Sequence, residues 1–112
     1  MTIDTRTSGS VTVLDIHGKI TIEVTAQVRK AVADLLEAGR KNMLLNLGDV
    51  SFMDSSGIGE LVRSHYSVTR EGGQVKLLNL TKKIKELLAI TKLLTIFECY
   101  EDEVEAVASF SA

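Results

Sequence analysis

The stretch Met43-Leu44-Leu45-Asn46-Leu47-Gly48-Asp49-Val50-Ser51-Phe52-Met53-Asp54-Ser55-Ser56-Gly57-Ile58-Gly59-Glu60 carries a strand and the start of a helix. Its first five residues are almost continuously apolar, the pattern of a central strand covered on both faces. Gly48-Asp49 is expected to turn the chain, with residues 50–53 adding a brief extension. From Ser55 or Ser56 to about Arg70 the spacing becomes helical. Ile58, Leu61, Val62, His65 and Thr69 form an inner stripe, and Glu60, Arg63, Ser64 and Ser67 lie outside it.

The same alternation continues in both directions. Upstream, residues 3–7 form a weak strand, Ser8-Gly9-Ser10 a turn, and residues 11–17 a strand ended by Gly18. In that strand Val11 and Val13 share one face and Leu14 and Ile16 the other, so both faces are covered. Residues 25–38 read as a helix, with Thr25 at its N-cap and Gly39 at C′. Downstream, Gly72-Gly73 stops the central helix and residues 75–79 form a strand. Thr81 caps a third helix with Ile84, Leu87 and Leu88 inward. Residues 95–100 are a last strand, and Glu101-Asp102-Glu103 opens a helix to about Phe110, its acids suited to the positive end of the dipole. The order ββαβαβαβα is an α/β fold: a mainly parallel sheet of four to five strands packed by about four helices, with the first strand antiparallel at one edge.

The chain has 112 residues, enough for one domain with a modest core. Its hydrophobic content of 45% and charged content of 25% are those of a soluble globular domain. A formal net charge of -2 argues against nucleic acid as the partner. The single cysteine, Cys99, cannot form an internal disulfide, so an oxidising compartment is not indicated. No apolar segment follows Met1, and no run approaches the ~18 residues that span a bilayer. The expected location is the cytoplasm, away from membranes.

Function is concentrated between residues 49 and 60, at the carboxyl end of a buried strand, where parallel sheets place their sites. Asp54, Ser55 and Ser56 are all good N-caps, yet a helix has one cap position. Gly57 and Gly59 fall in the first turn, each costing roughly 0.5–1 kcal/mol relative to alanine. Two readings stand. In one, the polar residues cap the helix and the glycines permit tight packing. In the other, a serine accepts phosphate or the helix amides bind an anion.

The segment Asp54-Ser55-Ser56-Gly57-Ile58-Gly59 resembles the signature of the STAS domain family, the bacterial anti-sigma factor antagonists. The resemblance extends through Asn46-Leu47, residues 50–53, the Gly72-Gly73 turn and residues 87–93. It implies that Ser55 is phosphorylated by a partner serine kinase that doubles as an anti-sigma factor. The unphosphorylated protein would bind that partner and free a sigma factor, and phosphorylation would end the binding. Asp54, Ser56 and Gly57 would surround the phosphosite, and Gly59 and Glu60 would belong to the partner surface. Some members of the family serve only as a scaffold or sensor module in a larger signalling assembly. The chain departs from the family after Gly18, where an acidic pair is common and Lys19-Ile20-Thr21-Ile22-Glu23-Val24 stands instead. Lys82, Lys83 and Lys85 open the third helix, where cations oppose the dipole. They read as a solvated face, or, because parallel strands put both helix starts on one rim, Lys82 and Lys83 read as partner surface.

Other chemistries find little support. Ser55 as a nucleophile needs a base, and the two histidines are His17, at a strand end, and His65, ten positions along the same helix, about 15 Å away. Gly-x-Ser-x-Gly and the phosphate-binding Gly-x-x-x-x-Gly-Lys-Ser/Thr are absent. No residue pattern calls for a cofactor or a metal. Glu101, Asp102 and Glu103 are consecutive and diverge around their helix, and Cys99 is expected to be a small buried apolar residue.

Overall fold

Strand periodicity resolves into five strands, β1 (Thr2–Ser8), β2 (Val11–Ile20), β3 (Asn42–Met53), β4 (Gln74–Leu78) and β5 (Cys99–Tyr100), in a computed structural model that describes residues 1–110. They form one sheet in the order β1-β2-β3-β4-β5. β1 pairs antiparallel with β2, and the other three pairings are parallel. The helices are α1 (Thr25–Glu37), α2 (Ser55–Thr69), α3 (Lys82–Ile90) and α4 (Glu103–Ser109), with a 3-10 turn at Leu93–Thr95. The expected element order is the observed one.

Side-chain alternation explains the layers. Leu14 and Ile16 of β2 and Met43, Leu45 and Leu47 of β3 join Val28 of α1, Leu61 of α2 and Leu88 of α3 in the main core. Val11, Val13, Leu44 and Leu78 point the other way, into a smaller core closed by Ala106 and Phe110. Three helices therefore cover one face of the sheet and α4 alone covers the other. Gly39 takes the C′ position of α1 at φ +79°, with its amide donating to the Leu36 carbonyl and the Arg40 amide to that of Leu35 at 2.8 Å.

Sequence expectations are corrected at five places. Gly48-Asp49 does not turn the chain: β3 runs unbroken from Asn42 to Met53. The register against β2 shifts between Asp15 and His17 and again between Gly18 and Lys19, so β3 accommodates an extra residue at each place as a bulge. Gly18 does not end β2, because its φ of +99° lets the strand bend and continue to Ile20. Thr25 is not the N-cap of α1: Val24 is, and the Thr25 hydroxyl donates to the Ile22 carbonyl. The last strand shrinks from the expected 95–100 to Cys99–Tyr100, and Thr95 instead closes a 3-10 turn entered through Lys92 in left-handed backbone. At this short edge Cys99 is exposed rather than buried, although its sulfur lies against the Phe97 carbonyl and partial burial pushes the thiol upward.

The α4 face is tied by charge. Arg6 of β1 donates to Asp15 of β2 at 2.7 Å and, through both terminal nitrogens, to Glu103 of α4. These hydrogen bonds hold the Asp15 and Glu103 carboxyls below their usual range. Lys76, buried in β4, donates to the carbonyl and hydroxyl of Ser109, placing a cation at the C-terminal end of α4. At the far end of the same face His17 lies 2.6 Å from Asp49 and 3.4 Å from Asp4. Its hydrogen bond to Asp49 raises the imidazole above its ordinary value of 6.5.

Arg6→Ala should lower stability by about 1 kcal/mol at neutral pH, because the guanidinium is half exposed and screened. Depressed carboxyl groups stabilise the fold above their unfolded values, 3.8 for Asp15 and 4.5 for Glu103, and lose that contribution as pH falls through the folded values. Urea unfolding of wild type and Arg6→Ala should therefore diverge at pH 7 and converge as pH falls through the depressed carboxyl range below 3.8.

Candidate functional site

At the carboxyl end of β3 the chain must change from strand to helix within one residue. Asp54 does this with extended backbone, φ −93° and ψ −177°. Its amide donates to the Ile20 carbonyl at 3.2 Å, continuing the β2–β3 pairing by one residue. One carboxylate oxygen accepts from the Gly57 amide at 3.0 Å, an N-cap bond. The other accepts from the Ile22 amide at 3.2 Å, in the connection between β2 and α1. Asp54 is thus the cap of α2, and it leaves Ser55 and Ser56 at the head of the helix.

Ser55 is exposed, and its hydroxyl makes no hydrogen bond among the described residues. Ser56 is half-buried. The two glycines differ. A β-carbon at Gly57 would lie 2.6 Å from both the Ile20 carbonyl oxygen and Met53 Cγ, so this residue must be bare for α2 to seat on the sheet. A β-carbon at Gly59 would meet nothing within 4 Å. Gly59 therefore weakens the helix without any packing reason inside the domain.

Around Ser55 the surface is unusually apolar. Ile22 is 67% exposed and Phe52 is 51% exposed. Phe52 and Met53 form one wall of a groove of about 220 Å³ whose other wall is Thr81, Lys83, Ile84 and Leu87 of the α3 start. The parallel pairing of β3 with β4 puts the starts of α2 and α3 on one rim, as expected, and Lys83 lines the groove between the end of β3 and α3. Lys82 is exposed at the same helix start but does not line the groove. The segment that departs from the family after Gly18 also reaches this rim, as the end of β2 and the turn held by Asp54.

Glu60 is a correction. It is 3% exposed, with Oε1 accepting from Arg29 of α1 at 2.9 Å and 3.8 Å from Arg63, so it faces α1 and not solvent. Ser64 is buried beside it and Thr69 is exposed, the reverse of the expected stripe. The reason is the layer. α2 lies between α1 and α3, so its buried arc is wider than one stripe and includes the flank against α1. His65 is half-buried, its ring edge-on to Phe97 at 5.4 Å, and neither imidazole is hydrogen-bonded to Ser55. Ile22 and Phe52 were not singled out from the sequence. Phe52 alternates with the inward Met53, which was the available signal.

An exposed serine thus heads a glycine-bearing helix on an α/β sheet with strand order β1-β2-β3-β4-β5. The model of the STAS domain matches residues 2–106, and the chain belongs to that family. It is similar to the anti-sigma-B factor antagonist of Bacillus subtilis, 34% identical over 85 residues, 76% of this chain and 77% of that protein. Among solved structures it is similar to a Thermotoga maritima protein, at 26% identity and TM-score 0.91, covering 98% of this chain and 95% of that one. It shares the fold of the phosphorylated form of Bacillus SpoIIAA, at 20% identity and TM-score 0.76, covering 96% and 98%. Among the described residues no helix is long and apolar enough to cross a membrane, and no three His, Cys, Asp or Glu side chains gather to hold a metal.

Gly57→Ala should destabilise the domain by about 1–3 kcal/mol through overpacking, whereas Gly59→Ala should stabilise it by about 0.5–1 kcal/mol. Urea midpoints with an unchanged m-value check both. Asp54→Ala should cost about 1–2 kcal/mol. Asp54→Asn keeps a capping oxygen and should recover most of that, while the Ile22 amide exchanges with solvent faster in both variants, read by hydrogen-exchange NMR.

Proposed function

We propose that this protein is an anti-sigma factor antagonist whose unphosphorylated form binds an anti-sigma factor with serine kinase activity and releases a sigma factor. Ser55 is the phosphoacceptor in this reading. The observation that carries it is the Ser55 hydroxyl, solvent-exposed and without a hydrogen bond, on a rim flanked by exposed Ile22, Phe52 and Gly59. The relatedness to the B. subtilis anti-sigma-B factor antagonist supports the partner class. The protein acts by binding and not by catalysis, in the cytoplasm where sigma factors work.

Phosphate on Ser55 adds about −1.5 to −2 charge units at neutral pH. The head of α2 offers it partly compensating amides, and Asp54 next to it repels it. Neither effect needs the domain to refold. The decisive change is at the docked surface, where a dianion must be paired or desolvated. A penalty of ~4 kcal/mol weakens binding about a thousandfold. Gly59 leaves the next turn open for a partner backbone to approach, and Lys83 supplies a cation at the edge of the groove.

Incubation with a serine kinase anti-sigma factor and ATP should add one phosphate, mapped to Ser55 by intact and peptide mass, and none to Ser55→Ala. Ser55→Ala should bind the partner like wild type and Ser55→Asp at least about a hundredfold more weakly by isothermal titration. Equal binding by the two variants would sink the charge switch. No phosphate gain together with tight, unchanged binding would identify a constitutive scaffold instead.

A further inference from the structure

On the opposite flank of α2 from the groove, the seam between α1 and α2 holds a second cavity of about 220 Å³. Two side chains buried there each carry one unpaired oxygen: Glu60, 3% exposed, has Oε2 without a hydrogen bond, and Ser64, 2% exposed, has its hydroxyl without one. A buried acceptor and a buried hydroxyl left unmatched cost free energy, and native folds keep few of them. Both residues line the cavity, with Val32 and Leu36 of α1 as its apolar wall. Arg29, Arg63 and Arg70 also line it, against Glu60 and Glu71. Arg29 is matched to Glu60 at 2.9 Å, whereas Arg63 approaches Glu60 only at 3.8 Å. Arg70 has no side-chain partner among the described residues.

We propose that this seam binds a small phosphomonoester of a polyol, with one hydroxyl between Glu60 and Ser64 and the phosphate on Arg63 and Arg70. Both atoms are sealed from solvent in this structure, so binding parts α1 from α2 enough for one ligand hydroxyl to donate to Glu60 Oε2 and accept from the Ser64 O–H. Two guanidiniums with spare donors suit a phosphate dianion, which they engage as forks. The volume is below the ~300–1,000 Å³ of sites for drug-sized ligands, which selects a small molecule. Glu60 stands one turn beyond Ser55 on α2, so occupancy would brace the helix start from behind. The site is separate from Ser55 and independent of the reading given to that serine.

Amide-resolved NMR titration of the full chain with ribose 5-phosphate tests the proposal, alongside free ribose and inorganic phosphate. Saturable shifts should map to residues 29–36 and 60–71, with either half-ligand at least about tenfold weaker. Arg70→Ala, at an exposed position that leaves the fold intact, should weaken binding about tenfold, and Ser64→Ala by a similar factor. Absence of saturation, saturation mapping elsewhere, inorganic phosphate binding as tightly as ribose 5-phosphate, or an Arg70→Ala affinity equal to wild type would each overturn it.

Discussion

Both carboxylate oxygens of Asp54 are engaged by backbone amides from separate parts of the chain, Gly57 in α2 and Ile22 beyond β2. The backbone of the same residue bonds to Ile20. Everything at the rim follows from this clasp. It sets where the helix begins, and so which serine heads it. It holds the turn after β2 against that helix start, with Ile22 outward. Gly57 permits the clasp, because a side chain there would collide with the Ile20 carbonyl and Met53 and lift the first turn away from the sheet. The polar and the steric requirement select two residues three apart. Of the two serines between them, Ser55 is exposed and carries no comparable structural duty.

The two faces of the sheet are stabilised differently. Under α1, α2 and α3 the core is broad and aliphatic, and burial dominates. Under α4 the apolar patch is small, and charged contacts at both ends of the helix supplement it, Arg6 with Glu103 and Lys76 with Ser109. Such contacts are individually modest when exposed. Lys76 is the exception: a buried ammonium needs partners, and it has the α4 carbonyl, a hydroxyl and the face of Phe110 at 4.7 Å.

Much of this was legible in the sequence because periodicity reports burial directly. The alternation of Val11, Val13 with Leu14, Ile16 foretold a strand covered on both sides, and the Thr81 cap and Gly39 terminator were read from local chemistry alone. What stayed hidden depends on neighbours. Gly48-Asp49 has the composition of a turn, yet β2 alongside offers hydrogen bonds that make a bulged strand the better solution. Glu60 and Ser64 look like solvent residues by type, and only the proximity of α1, with Arg29, turns that flank inward. Thr25 would cap a helix well, but the chain enters α1 through a tight turn in which its hydroxyl already bonds to Ile22. At the site, Asp54 and the serines were visible as a polar cluster. The division of labour among them required the two amides that Asp54 receives.

The Arg6–Glu103 tie joins residues 97 positions apart. On a ribosome adding ~5–20 residues per second, the hairpin of β1 and β2, complete at Ile20, is made about 4–17 s before Glu103 exists. During that interval Val11 and Val13 lack Ala106 and Phe110 above them, so the nascent sheet offers an apolar strip to whatever waits at the exit tunnel. Helix α4, synthesised after every strand of the sheet it covers, therefore closes this face only once all of them exist.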